Sequence, residues 1–406
     1  MTPGSPTPAP DFDPQPLDPR LTALLADYPS TLFGERLHHS IELMERYSID
    51  LSIDLLDRMG IIQHIADWRS APELCVELDF APRFSVALAW LLERLIETDC
   101  VEARQIDRAR QYRLRKPPWA PALAQLRAAG IAIDPANRAT LDLLDHAASI
   151  YPAVARGATS GEQALFGMPA LWLNYFHNEN RAYAVNNWLG AIAAADRVAA
   201  HGNLRILEIG AGAGSGSETL LRTLGERGLA PRIECYLITE PNAFFRRRGQ
   251  RDLCKRYPNL PLEFRALDID RPWDAQGVAP GDFDVIYGVN VLHVAKDLRF
   301  SLAQARAALA PDGWLAIGEC LRPYPRQPIY AELMFQLLES FTDVQLDPEY
   351  RPNAGFLTPS QWRTALRRAG FAHTEVAPDV ERIRVIYPHF FAGAVCGSAS
   401  PGSSHR

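Results

Sequence analysis

Between Asn203 and Glu319 five short apolar runs follow one another: LRILEI, IECYLI, LEFRAL, FDVIYGV and GWLAIGE. A helical or loop segment separates each from the next. That rhythm predicts an α/β fold with a doubly wound, mostly parallel sheet of the Rossmann-like kind. Two later runs, HTEVA and IRVIYPHFFAGAV, are expected to close the sheet edge as a hairpin.

The first run passes directly into Glu208-Ile209-Gly210-Ala211-Gly212-Ala213-Gly214-Ser215-Gly216, which opens a helix. Glycines allow a sharp turn and a close backbone approach to a ligand. The helix start offers free N–H groups to a carboxylate or phosphate. A dinucleotide fingerprint would have glycine or alanine at the position of Ser215, and a P-loop would end in Gly-Lys-Ser/Thr. Instead the loop has glycine at Gly210, Gly212 and Gly214, with an acid at Glu208. An acid there suits a ligand with an ammonium group, and S-adenosylmethionine carries one beside its carboxylate and sulfonium. Glu240, ending the second run, is placed to accept from both ribose hydroxyls. After the third run, Asp268 can accept from an adenine amino group and Ile269 can cover the ring. Asn290, after the fourth run, joins this cofactor-binding set.

The glycine loop resembles motif I of class I S-adenosylmethionine-dependent methyltransferases. The strings DFDVIYGVNVLHVAKDLRFSLAQARAALAPDGWLAIGE, ALDIDRPWDAQG, FLTPSQWRTALRRAGF and GEQALFG resemble C-methyltransferase domains of polyketide synthases, over about residues 150–372. That resemblance implies a catalytic pair, His293 after the fourth strand and Glu319 ending the fifth. Small-molecule O-methyltransferases also place a base histidine after the fourth strand. Where the family usually has aspartate at the second-strand acid, this chain has Glu240. Histidine titrates near neutrality and can take a proton from the acceptor. A carboxylate partner fixes its tautomer and stabilises the imidazolium. The implied acceptor is a small molecule or a carrier-protein-bound acyl intermediate of polyketide type. It reacts at an enolisable carbon, favoured by the strings, or at an acidic oxygen. An S-adenosylmethionine-dependent cyclase and a non-catalytic cofactor-binding regulator stay open as alternatives.

Five segments are expected. Residues 1–20 form a disordered proline-rich tail, 21–114 a winged-helix-like dimerisation and capping domain, and 115–200 a helical connector and lid. The methyltransferase domain spans 201–396, and 397–406 is a second disordered tail. In the first domain, Ser70-Ala71-Pro72-Glu73 signals a helix start, Phe84–Thr98 a further helix, and the strings at Val101 and Tyr112 two paired strands. A DNA-reading helix needs excess positive charge, but Arg83 and Arg94 are balanced by Glu93 and Glu97. With a net charge of -6, nucleic acid is not expected as a partner. The order of elements resembles the N-terminal domain of small-molecule O-methyltransferases, which implies a homodimer. The six cysteines lack metal-ligand spacing, so no metal is expected, and scattered thiols fit a reducing cytoplasm. No apolar run reaches membrane-spanning length.

Overall fold

The computed structural model describes residues 18–22, 24–26, 28–29, 33–107 and 109–400, which divide into two compact units. Most of the expected N-terminal tail, and residues 401–406, lie outside the described residues.

The first unit contains the chain as far as Tyr175, with Glu179–Ala182 and Pro328–Leu337. Its long helix, Glu35–Arg58, buries Leu37, Ile41, Met44, Leu51 and Leu55, the apolar stripe of an amphipathic helix. Gly60 follows at φ 74°, a left-handed position that suits glycine at a helix end. The helix Ala71–Glu77 starts as its sequence signals. Ser70 accepts from the Glu73 N–H, and the Glu73 carboxylate accepts from the Ser70 N–H at 2.6 Å. A further helix spans Ser85–Ile96. Strands β1 (Arg69–Ser70), β2 (Val101–Ile106) and β3 (Ala109–Leu114) form an antiparallel sheet in the order β1-β3-β2.

This unit does not stop at residue 114, for reasons that lie in long-range polar contacts. The Asp50 carboxylate accepts from Trp119 Nε1 and from the Ala122 N–H, both at 2.8 Å. Trp90 Nε1 donates to Glu332 at 3.0 Å, and the Tyr151 hydroxyl donates to the Leu333 carbonyl at 2.6 Å. The buried Arg94 donates to the Glu45 carboxylate and, at 2.9 Å, to the Pro328 carbonyl. Helices and a loop distant in sequence thus share one interior. Trp172 belongs to it as well, 1% exposed and donating to the Leu165 carbonyl at 2.8 Å.

The second unit is built on a seven-stranded sheet. Its strands are β4 (Leu204–Ile209), β5 (Ile233–Thr239), β6 (Leu262–Arg265), β7 (Phe283–Val289), β8 (Leu309–Cys320), β9 (His373–Ala377) and β10 (Ala392–Ser398). Their order is β6-β5-β4-β7-β8-β10-β9. The first five pair in parallel, and β10 runs antiparallel to both β8 and β9. The chain reverses direction across the sheet at β4, between β5 and β7, and ligands bind outside the strand ends at such a point.

Two expectations need correction. The run from Ile383 is not one strand: a helix, Val380–Arg384, and a turn occupy its first part, and β10 begins only at Ala392. The two last strands do close the sheet edge as an antiparallel pair, as expected, with β10 against β8 and β9 outermost. Nor does the ordered sheet end at residue 396. Gly397 pairs with Leu315 and Ser398 with Trp314, because β8 extends far enough to offer them partners.

Candidate active site

The residues expected to hold the cofactor lie at the carboxyl ends of β4, β5, β6 and β7. After β4 the loop turns through Gly210, Gly212 and Gly214 at φ 63°, 53° and 93°, and the helix Ser215–Glu226 follows. A Cβ on Gly210 would lie 2.4 Å from Val291 Cγ2, so only glycine lets the two strand ends approach. Gly212 differs: a Cβ there would meet nothing within 4 Å. Its backbone is open on that side, as a ligand cradle requires.

Glu208 sits beneath the loop, 1% exposed. Its carboxylate accepts from the Ser217 and Tyr236 hydroxyls, each at 2.6 Å. Burial pushes its pKa up to about 7; the two hydroxyls oppose that shift and nearby Glu240 adds to it. Glu240 ties β5 to the loop. One carboxylate oxygen accepts from the Gly212 N–H at 2.9 Å and the other from the Asn242 N–H at 2.8 Å. Burial raises its pKa, and these two N–H groups oppose the shift.

Asp268 is half-exposed and locally held. It accepts from the Asp270 N–H at 3.0 Å and pairs with Arg271 at 3.2 Å. Its backbone is bracketed by Gln276, through the Asp268 N–H and carbonyl. The neighbouring Ile269 carbonyl accepts from the Ser301 hydroxyl at 3.0 Å. Asn290 is left-handed at φ 48°, a conformation Asn tolerates better than most residues. Its side-chain oxygen accepts from the Cys320 N–H at 2.8 Å, fastening the end of β7 to that of β8.

His293 and Glu319 meet. The His293 Nδ1 lies 2.8 Å from a Glu319 carboxylate oxygen, and the two residues are 4% and 0% exposed. The other Glu319 oxygen accepts from the N–H groups of Val291, at 3.3 Å, and Leu292, at 3.1 Å. A carboxylate at Nδ1 places the proton on that nitrogen, leaving Nε2 with its lone pair as the basic atom. The rings of Phe341 and Phe356 pack on the imidazole, with centroids at 5.6 and 4.4 Å.

Several residues of this arrangement were not expected from the sequence. Ser217 and Tyr236 hold Glu208. Tyr236 faces the same side of β5 as Ile238, so strand alternation offered a signal for it. Asn178 donates to the Ser215 carbonyl at 3.0 Å and accepts from Asn187 at 2.8 Å, within the second unit. Arg351 donates to the His293 and Ala295 carbonyls, and nothing in its local sequence marks it.

This donor set suits S-adenosylmethionine. It offers an open glycine loop, a helix start for a carboxylate, a buried acid beneath the loop and strand-end acids for a nucleoside. Residues 207–315 match a family model described as a methyltransferase domain. The chain is 29% identical over 346 residues to the highly reducing polyketide synthase ALT1 of Alternaria alternata, covering 84% of this chain and 12% of that one. The chain therefore spans about an eighth of that relative's length. Among solved structures it resembles the CurJ carbon methyltransferase, with a TM-score of 0.76 and 25% identity, covering 95% of this chain and 100% of that one. It shares the fold of the trans-methyltransferase CalH, solved in complex with SAH, at a TM-score of 0.59 and 19% identity, covering 89% of this chain and 91% of that one. Loop, sheet and likenesses together support a class I S-adenosylmethionine-dependent methyltransferase domain, with S-adenosylmethionine as the cofactor that fits it.

Proposed function

We propose that the chain methylates an enolisable carbon of a polyketide-type acyl intermediate, free or carrier-bound, with His293 as general base and Glu319 as its orienting partner. The observation that carries this reading is the buried 2.8 Å contact between His293 Nδ1 and Glu319 beside the cofactor loop's strand ends. S-adenosylmethionine, when bound, supplies the electrophilic methyl group. His293 Nε2 takes the proton from the acceptor carbon, and Glu319 stabilises the imidazolium that forms. Phe341 and Phe356 keep water from the ring, which strengthens the pairing. The polyketide synthase relative and the carbon methyltransferase neighbour support a carbon acceptor over an oxygen one. The proposal predicts enzyme-dependent exchange of the α-proton of a short β-ketoacyl thioester in deuterated water without cofactor. Exchange that persists in His293→Ala would remove His293 as the base.

Glu240 is assigned to the ribose hydroxyls, Asp268 to the adenine amino group, and Glu208 to the ammonium side. The raised Glu208 pKa, at about 7, has a consequence for binding. A cation arriving beside a carboxyl lowers its pKa, so cofactor binding near neutral pH should release a proton. Calorimetry in buffers of different ionisation enthalpy reads that release. Heats identical in every buffer would argue that Glu208 does not sense the ammonium group.

Residues 21–114 are assigned a winged-helix-like dimerisation role in a cytoplasmic homodimer. The helices Glu35–Arg58, Ala71–Glu77 and Ser85–Ile96 and the three-stranded sheet support that shape. Light scattering at micromolar concentration should give the dimer mass, and a monomer mass would end the assignment.

A further inference from the structure

The turn that carries His293 is held by charged side chains from both sides. Glu319, on β8, takes the N–H groups of Val291 and Leu292. Asp270, after β6, accepts from the Lys296 N–H at 2.8 Å. Arg351 takes the carbonyl side, donating to Ala295 at 2.6 Å and to His293 itself. It is 0% exposed. Its backbone is fixed by paired hydrogen bonds with Asp347, at 2.8 and 2.9 Å. A fully buried guanidinium is costly unless it is neutralised and hydrogen-bonded. Here both terminal nitrogens are spent on one short turn, the turn of the proposed base.

We propose that Arg351 is a positioning residue for methyl transfer: its planar fork fixes the carbonyl side of the His293 turn, and its charge offsets Glu319. The inference rests on the reading of His293 as base. A carboxylate favours the imidazolium and a nearby cation disfavours it, so the two charges act on the ring in opposite directions. The charged and titratable groups around the turn are Glu319 from β8, Asp270 from the loop after β6, and Asp297 just beyond the turn. Tyr350 precedes Arg351 in its own segment. Lys296 is directed outward toward Asp343 at 3.9 Å. Phe341 and Phe356, which pack on the ring, are uncharged. Burial lowers the Arg351 pKa to about 10, still far above neutrality, so the charge persists where the enzyme works.

The test compares Arg351→Met and Arg351→Lys with the parent chain, all bound to S-adenosylhomocysteine. Imidazole nitrogen NMR on histidine-labelled protein follows the His293 midpoint, with His293→Ala assigning the signal. Methyl transfer to a short β-ketoacyl thioester gives kcat and KM. Arg351→Met should raise the midpoint by about one pH unit, because losing a cation favours the imidazolium. The acid limb of the rate profile should move up with it. Arg351→Lys keeps the charge but not the two-carbonyl fork, so its midpoint should stay near the parent's while kcat falls about tenfold at unchanged KM. Should Arg351→Met fail to fold, the lysine variant decides: a kcat loss at constant KM supports the role. Parental kcat in the lysine variant, or a parental midpoint in a folded methionine variant, overturns it. If His293→Ala keeps full turnover, the reading of the base fails instead, and the midpoint shift still reports whether Arg351 is coupled to the ring.

Discussion

His293→Ala should cut methyl transfer by about 10²–10⁴-fold, the range for losing a general base. Binding of S-adenosylmethionine should be nearly unchanged, because the imidazole is held by Glu319, Phe341 and Phe356 and acts on the acceptor. Glu319→Gln should cost less. The amide can still accept from Nδ1–H, but it cannot balance an imidazolium. Its single oxygen cannot also serve the Val291 and Leu292 N–H groups, which would then face the amide NH2. The double variant should be little worse than His293→Ala alone, since residues acting as one unit are not additive. Losses that multiply would give Glu319 a separate task.

Glu240→Ala should weaken S-adenosylmethionine by roughly 10²-fold, about 3 kcal/mol. Two effects combine. The ribose hydroxyls lose a charged acceptor, and the N–H groups of Gly212 and Asn242 lose theirs. The loop is then free to leave the shape that receives the cofactor. Asp268→Ala should cost less, about 1–3 kcal/mol of binding, because Asp268 is half-exposed and its bonds are local. Titration calorimetry on both variants gives the comparison, and equal affinities in Glu240→Ala and the parent would remove Glu240 from the site.

How much of this was legible depends on range. The five parallel strands were readable because each is a short run rich in apolar residues with a break on either side. The glycine loop was readable because its backbone demand falls on residues adjacent in sequence. His293 and Glu319 came from a resemblance, and their contact joins the end of β7 to the end of β8, neighbouring strands. Arg351 had no such sign: its partners are two carbonyls more than fifty residues earlier, and carbonyls carry no sequence signature. The return of Pro328–Leu337 to the first unit was equally hidden, because it depends on Arg94, Trp90 and Tyr151 reaching across the chain. The start of β10 at Ala392 was missed because IRVIYPHFF is as apolar as a strand yet forms a helix end and a turn.

The proposed reaction passes a methyl group from S-adenosylmethionine to a carbon acid. Carbon NMR of the product, formed from methyl-labelled cofactor and a short β-ketoacyl thioester, tests it most directly. The label should appear as a methyl bonded to the α-carbon, and its rate of appearance should fall by about 10²–10⁴-fold when His293→Ala replaces the parent. A label found on oxygen, or no labelled product while the cofactor binds, would contradict it.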